Sequence, residues 1–175
     1  FGTTGEFASL SSEEREKLLA VADEVLDSNV QVIAGGCPPS LTGAIEWLEV
    51  LVSYNIDIAV ITAPYFHNSN SPDGISQYFE DIAAEAKLPI LLYNIPQCVG
   101  ESIPGEVVTK LARQDQFIGL KDSGGDLTYS SSLLNETPDD FYILQGADGL
   151  LIPSLRSGFD GAVSALSNAF PRLIK

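Results

Sequence analysis

The sequence has 175 residues, of which 45% are hydrophobic and 19% charged, and this composition excludes a disordered segment. Its 24 acidic residues against 9 basic ones give a formal net charge of -15, which disfavours nucleic acid and anionic membranes as partners. No apolar run approaches the ~20 residues that span a bilayer, and no signal peptide opens the chain, so a cytoplasmic protein is expected.

Two features of the composition leave alternatives open. The excess of carboxylates is either an ordinary solvated surface or an adaptation to high salt. Cys37, Cys98 and the single histidine, His67, have no metal-site spacing, and two cysteines make no disulfide framework. His67 is an acid–base group, a substrate ligand or an exposed loop residue. We therefore expect chemistry without a metal.

The first predicted element is a helix that begins after Ser11 and ends near residue 26. Ser11 fits an N-cap, and Glu13 and Glu14 place acidic side chains in the first turn. The apolar residues of this segment recur at helical spacing, so the following stripe is expected to be buried: Leu18, Leu19, Val21, Ala22, Val25 and Leu26.

The rest of the chain alternates short apolar runs with longer amphipathic stretches. The runs are predicted strands at residues 30–34, 58–62, 90–94, 117–121, 142–145 and 161–164. The predicted helices cover residues 41–54, 75–86 and 107–112, with Trp47 between helix and sheet and prolines at 72 and 104 near helix starts. Because the runs are almost continuously hydrophobic, they are typical of a parallel sheet buried on both faces.

Repeated strand–helix units of roughly 20–30 residues predict an α/β fold. A doubly wound sheet is disfavoured because no G-x-G-x-x-G turn follows any predicted strand. A (β/α)8 barrel is favoured because polar residues recur where strands end, as expected for barrel strands: Thr62, Asn94, Lys121, Gln145 and Ser164. A full barrel takes about 250 residues. We therefore expect residues 1–175 to be one barrel domain that is truncated at both ends.

Lys121 is the most informative candidate for catalysis. It ends an apolar strand, and a lysine in a barrel mouth loses hydration, which favours the neutral amine that attacks carbonyls. The alternative is a lysine that reaches solvent and pairs with Asp122.

Tyr93 lies near the end of the preceding strand, at the same height as Lys121. Neighbouring strands are ~4.8 Å apart, and alternation points both side chains inward. A phenol beside an amine suits proton relay. The alternative is an ordinary core tyrosine with a satisfied hydroxyl. The turn at residues 2–6 offers backbone N–H groups and two hydroxyls that could hold a carboxylate.

Three segments in this order, GTTGE (2–6), YNIP (93–96) and GLKDS (119–123), resemble the dihydrodipicolinate synthase / N-acetylneuraminate lyase family. The segments at 145–148 and 158–165 resemble its later glycine-rich signatures, so the resemblance covers almost the whole chain. It implies a (β/α)8 barrel that lacks its first strand–helix unit, most of strand 2 and its C-terminal helices. It also implies a class I aldolase, usually a homotetramer, that acts on pyruvate or other 2-keto acids and needs no cofactor.

The resemblance also implies roles for individual residues. Lys121 would form the Schiff base, and Tyr93 would relay protons. Thr3 and Thr4 would bind the substrate carboxylate, with Thr4 also linked to Tyr93 as part of the catalytic set. The remaining substrate-binding residues would line the part of the pocket that holds the variable end of the substrate: Ser123, Gly146, Asp148 and Val163.

Departures from the family narrow the expected activity. Dihydrodipicolinate synthases carry an arginine where this chain has Cys98, and usually a second aromatic hydroxyl where Phe66 stands. Sialic acid lyases have glutamate after the aspartate matched by Asp148, where this chain has Gly149, and a pocket serine where it has Ala165.

What remains is most similar to 2-keto-3-deoxygluconate or 6-phosphogluconate aldolases, including acidic, salt-adapted forms. That similarity implies cleavage of a 2-keto-3-deoxy sugar acid to pyruvate and an aldehyde. The alternatives are a synthase-like condensation of pyruvate with an aldehyde, or a barrel that binds 2-keto acids without turnover.

Overall fold

The computed structural model describes residues 1–27, 29–36, 38–66 and 71–174. In this part of the chain six parallel strands form one sheet: β1 (Ile33–Gly35), β2 (Ile58–Thr62), β3 (Ile90–Asn94), β4 (Phe117–Asp122), β5 (Tyr142–Gln145) and β6 (Gly161–Ala162). The helices are α1 (Ser12–Val25), α2 (Leu41–Ser53), α3 (Pro72–Glu85), α4 (Pro96–Val99), α5 (Gly105–Leu111), α6 (Leu127–Leu133), α7 (Leu151–Arg156) and α8 (Pro171–Ile174). Short 3-10 turns occur at Phe7–Ser9, Asp148–Leu150 and Leu166–Asn168.

The strand order identifies the architecture. Each strand pairs in parallel with its neighbour in the sequence, so the order runs from β1 to β6 without reversal. A doubly wound sheet would reverse its order at a switch point, whereas a barrel does not. The structure therefore confirms the predicted α/β fold, an incomplete (β/α)8 barrel.

The core lies where the central strands meet the helices outside them. All residues of β2 and β3 are buried. The outer helices supply large apolar side chains, among them Trp47, Leu51, Phe79, Ile82 and Leu111. Phe79 of α3 packs edge-to-face on Phe117 of β4, with ring centroids 6.4 Å apart. Strands buried on both faces therefore form a rigid frame for the residues at their carboxyl ends.

Several helices begin at a polar side chain that accepts a hydrogen bond from the helix's own N–H groups. These N-caps are Ser11 for α1, Ser40 for α2, Ser71 for α3 and Asp126 for α6. At α1 the predicted N-cap is confirmed, and a capping box also forms, because Glu14 Oε2 accepts from the Ser11 N–H at 2.9 Å.

The predicted strands at 58–62, 90–94 and 142–145 match the observed bounds, whereas β1 begins only at Ile33. The chain before β1 is held instead by Asp57, because the Val32 N–H donates to its Oδ2 at 2.7 Å. The end of the 161–164 run also differs. The strand ends at Ala162, although the Val163 N–H still donates to the Gln145 carbonyl of β5 at 2.9 Å. Ser164 instead donates its hydroxyl to a carboxylate oxygen of Asp148.

The predicted buried stripe of α1 is largely wrong. Leu19 is buried at 3% exposure, whereas Val21 and Val25 are 53% and 68% exposed. The spacing predicts an amphipathic helix correctly but cannot show what packs on it.

Candidate active site

The site lies at the carboxyl ends of β3 and β4. The register pairs Tyr93 directly with Lys121, as predicted from strand alternation. The Lys121 Nζ lies 3.9 Å from the centroid of the Tyr93 ring, and Lys121 is only 9% exposed. The structure therefore places the amine against the phenol and away from bulk solvent, which excludes a solvent-facing lysine.

The turn at residues 2–6 lies over this pair. The Thr3 hydroxyl is 3.4 Å from the Tyr93 hydroxyl, and the Glu6 N–H closes the turn on the Thr3 carbonyl at 3.0 Å. A Cβ added to Gly2 would lie 3.9 Å from the Lys121 Nζ, so the backbone here approaches the amine closely. The predicted link from Thr4 to Tyr93 stays a prediction, and the structure shows a contact of this kind for the neighbouring Thr3. Thr3 makes this contact, because the closed turn points its hydroxyl at the phenol.

Arg15 of α1 contacts Phe7, the residue after this turn, whose own N–H donates to the Gly2 carbonyl at 3.4 Å. The Arg15 Nη2 donates to the Phe7 carbonyl at 3.0 Å, and the guanidinium lies 5.9 Å and 5.8 Å from the Phe7 and Trp47 ring centroids. Phe1 packs on Trp47 with centroids 5.9 Å apart. The local sequence gives no signal for these contacts, because they join segments that meet only in the folded chain.

The buried carboxylate of Asp122 joins the carboxyl ends of β3 and β4 through hydrogen bonds. The Asp122 Oδ1 accepts from the Asn94 Nδ2 at 2.7 Å and from the Gly124 N–H at 2.9 Å, and its Oδ2 accepts from the Ser130 hydroxyl. Asn94 in turn accepts the Ile103 N–H at 3.0 Å. Because both Asp122 oxygens are engaged in this network, the structure contradicts the alternative in which Asp122 pairs with Lys121.

Tyr129 of α6 extends this network. Its hydroxyl donates to the Ile103 carbonyl at 2.8 Å. Burial raises the pKa of the Tyr129 phenol above its ordinary value, and the negative charge of Asp122 raises it further. The phenol is therefore kept protonated and remains a donor.

A cavity of about 500 Å³ opens above Lys121. It is lined by Phe1, Gly2, Thr3, Thr4, Gly5, Leu18, Tyr93, Ile95, Lys121, Ser123, Gly146, Val163, Ser164, Ala165 and Asn168. All the predicted site residues except Asp148 are in this lining. Leu18, Ser164 and Asn168 also line it without having been predicted as site residues. Only Ser164 carried a signal in the sequence, as a polar residue at a strand end.

Two of the predicted residues shape the cavity wall together. A Cβ on Gly146 would meet the Ser123 Oγ at 2.1 Å and the Asp122 carbonyl oxygen at 3.1 Å, so a larger residue here requires Ser123 to move. The Gly146 N–H also donates to the Asp122 carbonyl at 2.7 Å.

Asp148 is outside this lining, and its predicted contact with substrate stays a prediction. Its carboxylate is used within the fold, accepting from the Ser164 hydroxyl and from the Leu166 N–H. It thereby orders the loop after β6, on which Ser164 and Ala165 line the cavity.

A second cavity of about 310 Å³ adjoins the first. The two share Thr3, Tyr93 and Ile95, and the further lining residues are Glu6, Phe7, Ala8, Ser9, Thr62, Tyr65, Cys98 and Val99. Tyr93 therefore lies between the two cavities, whereas Lys121 lines only the first.

His67 and Cys37 lie outside the described residues. Within the described ranges, no cluster of three or more His, Cys, Asp or Glu side chains could hold a metal ion. The expectation of metal-free and cofactor-free chemistry stays a prediction. No helix in the described part of the chain is long and apolar enough to cross a membrane.

The fold and the site together define a protein of the (β/α)8-barrel class with a lysine and a tyrosine at adjacent strand ends. The chain belongs to the dihydrodipicolinate synthetase family, whose sequence profile matches residues 1–175. The family expected from the sequence motifs is therefore confirmed.

Curated relatives include 4-hydroxy-tetrahydrodipicolinate synthases. The protein from Methanosarcina acetivorans is 34% identical over 171 residues, covering 97% of this chain and 58% of the relative. The protein from Leptospira biflexa is 36% identical over 171 residues, covering 98% and 58%. The chain thus spans a little over half the length of the curated relatives it matches.

Solved structures give the same family. The 4-hydroxy-tetrahydrodipicolinate synthase of Methylacidiphilum fumariolicum SolV has a TM-score of 0.94 at 36% identity, covering 99% of this chain and 58% of that one. The 2-keto 3-deoxygluconate aldolase of Picrophilus torridus has a TM-score of 0.87 at 31% identity, covering 95% and 60%. Both a synthase and an aldolase are therefore close in structure.

Proposed function

We propose that the protein containing this chain is a Schiff-base class I aldolase that cleaves a 2-keto-3-deoxy sugar acid to pyruvate and an aldehyde. The observation that carries this proposal is the Lys121 amine, 9% exposed and 3.9 Å from the Tyr93 ring centroid. Family membership and the likeness to the Picrophilus torridus aldolase support the reaction class.

The first step forms the imine. The Lys121 amine adds its lone pair to the C2 carbonyl, and one amine proton moves to the C2 oxygen. A second proton from solvent in the cavity lets this oxygen leave as water, so that a protonated imine remains. The face of the Tyr93 ring stabilises a cationic nitrogen at this position, because the ring quadrupole is negative there. The Tyr93 ring that contacts the Lys121 Nζ therefore also stabilises the protonated imine, which draws electrons from the bond broken in the next step.

The second step breaks the bond between C3 and C4. Its electron pair moves toward the imine nitrogen and leaves an enamine, while the Tyr93 oxygen accepts the C4 hydroxyl proton. The proton of the phenol passes to the Thr3 hydroxyl 3.4 Å away and on to solvent, since Thr3 is exposed. Protonation of the enamine at C3 and hydrolysis of the imine release pyruvate and restore the amine.

The turn at residues 2–6 would hold the substrate carboxylate. It brings backbone N–H groups and the hydroxyls of Thr3 and Thr4 to the cavity that contains Lys121. Fixing the carboxylate there places the ketone within reach of the amine, an orientation effect worth several kcal/mol in well-built sites.

A second candidate is condensation of pyruvate with an aldehyde, as in the relatives that are named as synthases. The same enamine would attack the aldehyde carbon, and Tyr93 would return a proton to the new hydroxyl. A barrel that binds 2-keto acids without turnover would keep the cavity but release no product.

Pyruvate release from 2-keto-3-deoxygluconate, with and without a 6-phosphate, tests the proposal. We expect release by the wild-type protein, its loss in Lys121→Met, and little change in the matched control Lys87→Met, whose side chain lines neither cavity. Condensation without cleavage would favour the synthase-like reaction, and neither reaction would favour the binding barrel.

A further inference from the structure

Asn94 and Asp122 form a buried pair next to Tyr93 and Lys121 on the same two strands. The register pairs Tyr93 with Lys121 and, one residue further on, Asn94 with Asp122. Because successive side chains of a strand lie on opposite faces, Tyr93 and Lys121 reach the cavity, whereas Asp122 reaches Ser130 of the outer helix α6. Asn94 and Asp122 are each 1% exposed, and neither is among the residues that line the cavity of Lys121.

The hydrogen bonds of this pair require an amide at position 94 and a carboxylate at position 122. The Asn94 Nδ2 donates to the Asp122 Oδ1 at 2.7 Å, and the Asn94 Oδ1 accepts the Ile103 N–H at 3.0 Å. Asp122 also accepts from the Gly124 N–H at 2.9 Å and from the Ser130 hydroxyl. Asn94 therefore has to donate and accept at once, whereas Asp122 only accepts.

The backbone connects this pair to the cavity wall. Beyond the strand ends, the Ser123 N–H donates to the Asn94 carbonyl at 2.8 Å, and the Gly146 N–H donates to the Asp122 carbonyl at 2.7 Å. Ser123 and Gly146 both line the cavity that contains Lys121. A shift of either member of the pair would therefore also shift residues around the amine.

We infer that Asn94 and Asp122 are positioning residues: their buried hydrogen bond fixes the carboxyl ends of β3 and β4 against each other and so keeps the Lys121 amine on the Tyr93 ring. This inference rests on the proposed function. The Lys121 Nζ lies 3.9 Å from the Tyr93 ring centroid, and the two side chains come from different strands. A displacement of one strand end would separate them, and a misplacement of about 1 Å in an active site can cost about 10²-fold in rate.

The test measures the exchange of the methyl hydrogens of pyruvate with deuterium from D2O by the protein containing this chain. Exchange requires the imine at Lys121 and a nearby group that takes the methyl proton, and it needs no aldehyde. In Asn94→Asp and in Asp122→Asn, kcat per folded protein should fall by about tenfold or more, with KM for pyruvate changed by less than about threefold. KM changes little because neither residue belongs to the turn at residues 2–6, which would hold the pyruvate carboxylate.

The double variant Asn94→Asp/Asp122→Asn tests the bond between the strands directly. An amide at position 122 can donate to a carboxylate at position 94, which still accepts the Ile103 N–H, so the bond returns with its direction reversed. The Gly124 N–H loses its acceptor, so stability should recover only in part, whereas kcat should return to within about threefold of the wild-type value. A folded double variant with kcat still lowered about tenfold would overturn the inference, even where a single variant fails to fold.

Ser154→Ala is the matched control. The Gln145 Nε2 at the end of β5 donates to the Ser154 hydroxyl of α7 at 2.8 Å, a buried bond at a strand end that does not join β3 to β4. This variant should lose stability, measured by urea denaturation, and keep the kcat of exchange per folded protein. Unchanged kcat in both single variants, or an equal fall in Ser154→Ala, would contradict the positioning role.

The wild-type protein distinguishes failure of this inference from failure of the proposed function. Exchange by the wild-type protein that continues at the same kcat in the folded single variants would defeat the positioning role alone. Absence of exchange in the wild-type protein would defeat the proposed function and this inference with it.

Discussion

At the scale of single residues, the contact between Lys121 and Tyr93 is the feature that the sequence predicts best. Strand alternation and the parallel register are enough to place the two side chains together, because β3 and β4 are regular at these positions. The contacts of Thr3 and Asp148 are not predictable in this way. They depend on how a turn and a loop close, and loops have no fixed periodicity.

Tyr93→Phe separates the ring from its hydroxyl. The ring still faces the Lys121 Nζ, so imine formation should continue, whereas loss of the proton relay should lower kcat by roughly 10²–10⁴. Steady-state kinetics on the proposed sugar acid measure this effect, with Tyr54→Phe as the control outside both cavities. Unchanged kcat would remove Tyr93 from the proton relay.

Asp122→Asn tests the buried network. The Asp122 carboxylate accepts three hydrogen bonds through its two oxygens. In asparagine one of these oxygens is replaced by an NH2 group, which would face a donor instead of accepting from it. Urea denaturation should show a loss of about 1–3 kcal/mol in the free energy of unfolding, typical of a buried group left unsatisfied. The exposed Asp139→Asn is the control, and an equal effect in both variants would contradict this role for Asp122.

At the scale of elements, helix starts and central strands follow from local rules, whereas the packing of α1 does not. The cap at Ser11 and the bounds of β2, β3 and β5 match their predictions because caps and apolar runs are local features. The exposed face of α1 depends on which segments pack against it. The Arg15 clamp, meaning the contacts of Arg15 with Phe7 and Trp47, likewise depends on tertiary packing. The sequence therefore predicts that α1 forms but not how it holds the turn at residues 2–6.

Arg15→Met tests that clamp. The variant keeps a long side chain but loses the hydrogen bond to the Phe7 carbonyl and the charge over the rings of Phe7 and Trp47. A looser turn should raise the KM for pyruvate in condensation by about three- to tenfold with a smaller change in kcat. Arg113→Met is the exposed control, and a pure loss of stability with unchanged KM would argue against a role in positioning.

At the scale of the whole molecule, the strand order and the net charge of -15 are the main features. The predicted barrel type follows from the repeating strand–helix pattern, because that pattern limits the possible topologies to a few. The oligomeric state does not follow from the strand–helix pattern in this way. The expected homotetramer stays a prediction, since no property of one chain's sequence fixes which surfaces pair.

The charge predicts a dependence of stability on salt. Repulsion among exposed carboxylates weakens as the screening length falls from about 10 Å at 0.1 M to about 3 Å at 1 M ionic strength. The Tm should therefore rise steadily with KCl and rise more than in sucrose, which favours the folded state by exclusion without screening charges. A Tm insensitive to KCl would contradict the claim that repulsion among exposed carboxylates limits the stability of the fold.

The most direct measurement of the central claim is the site of covalent attachment of pyruvate. Borohydride reduces an imine to a stable amine, so protein treated with pyruvate and borohydride should carry a single adduct that peptide mass spectrometry assigns to Lys121. The adduct should be absent from Lys121→Met and retained in Lys87→Met. No adduct, or an adduct on Lys87 or Lys110 instead, would contradict the account.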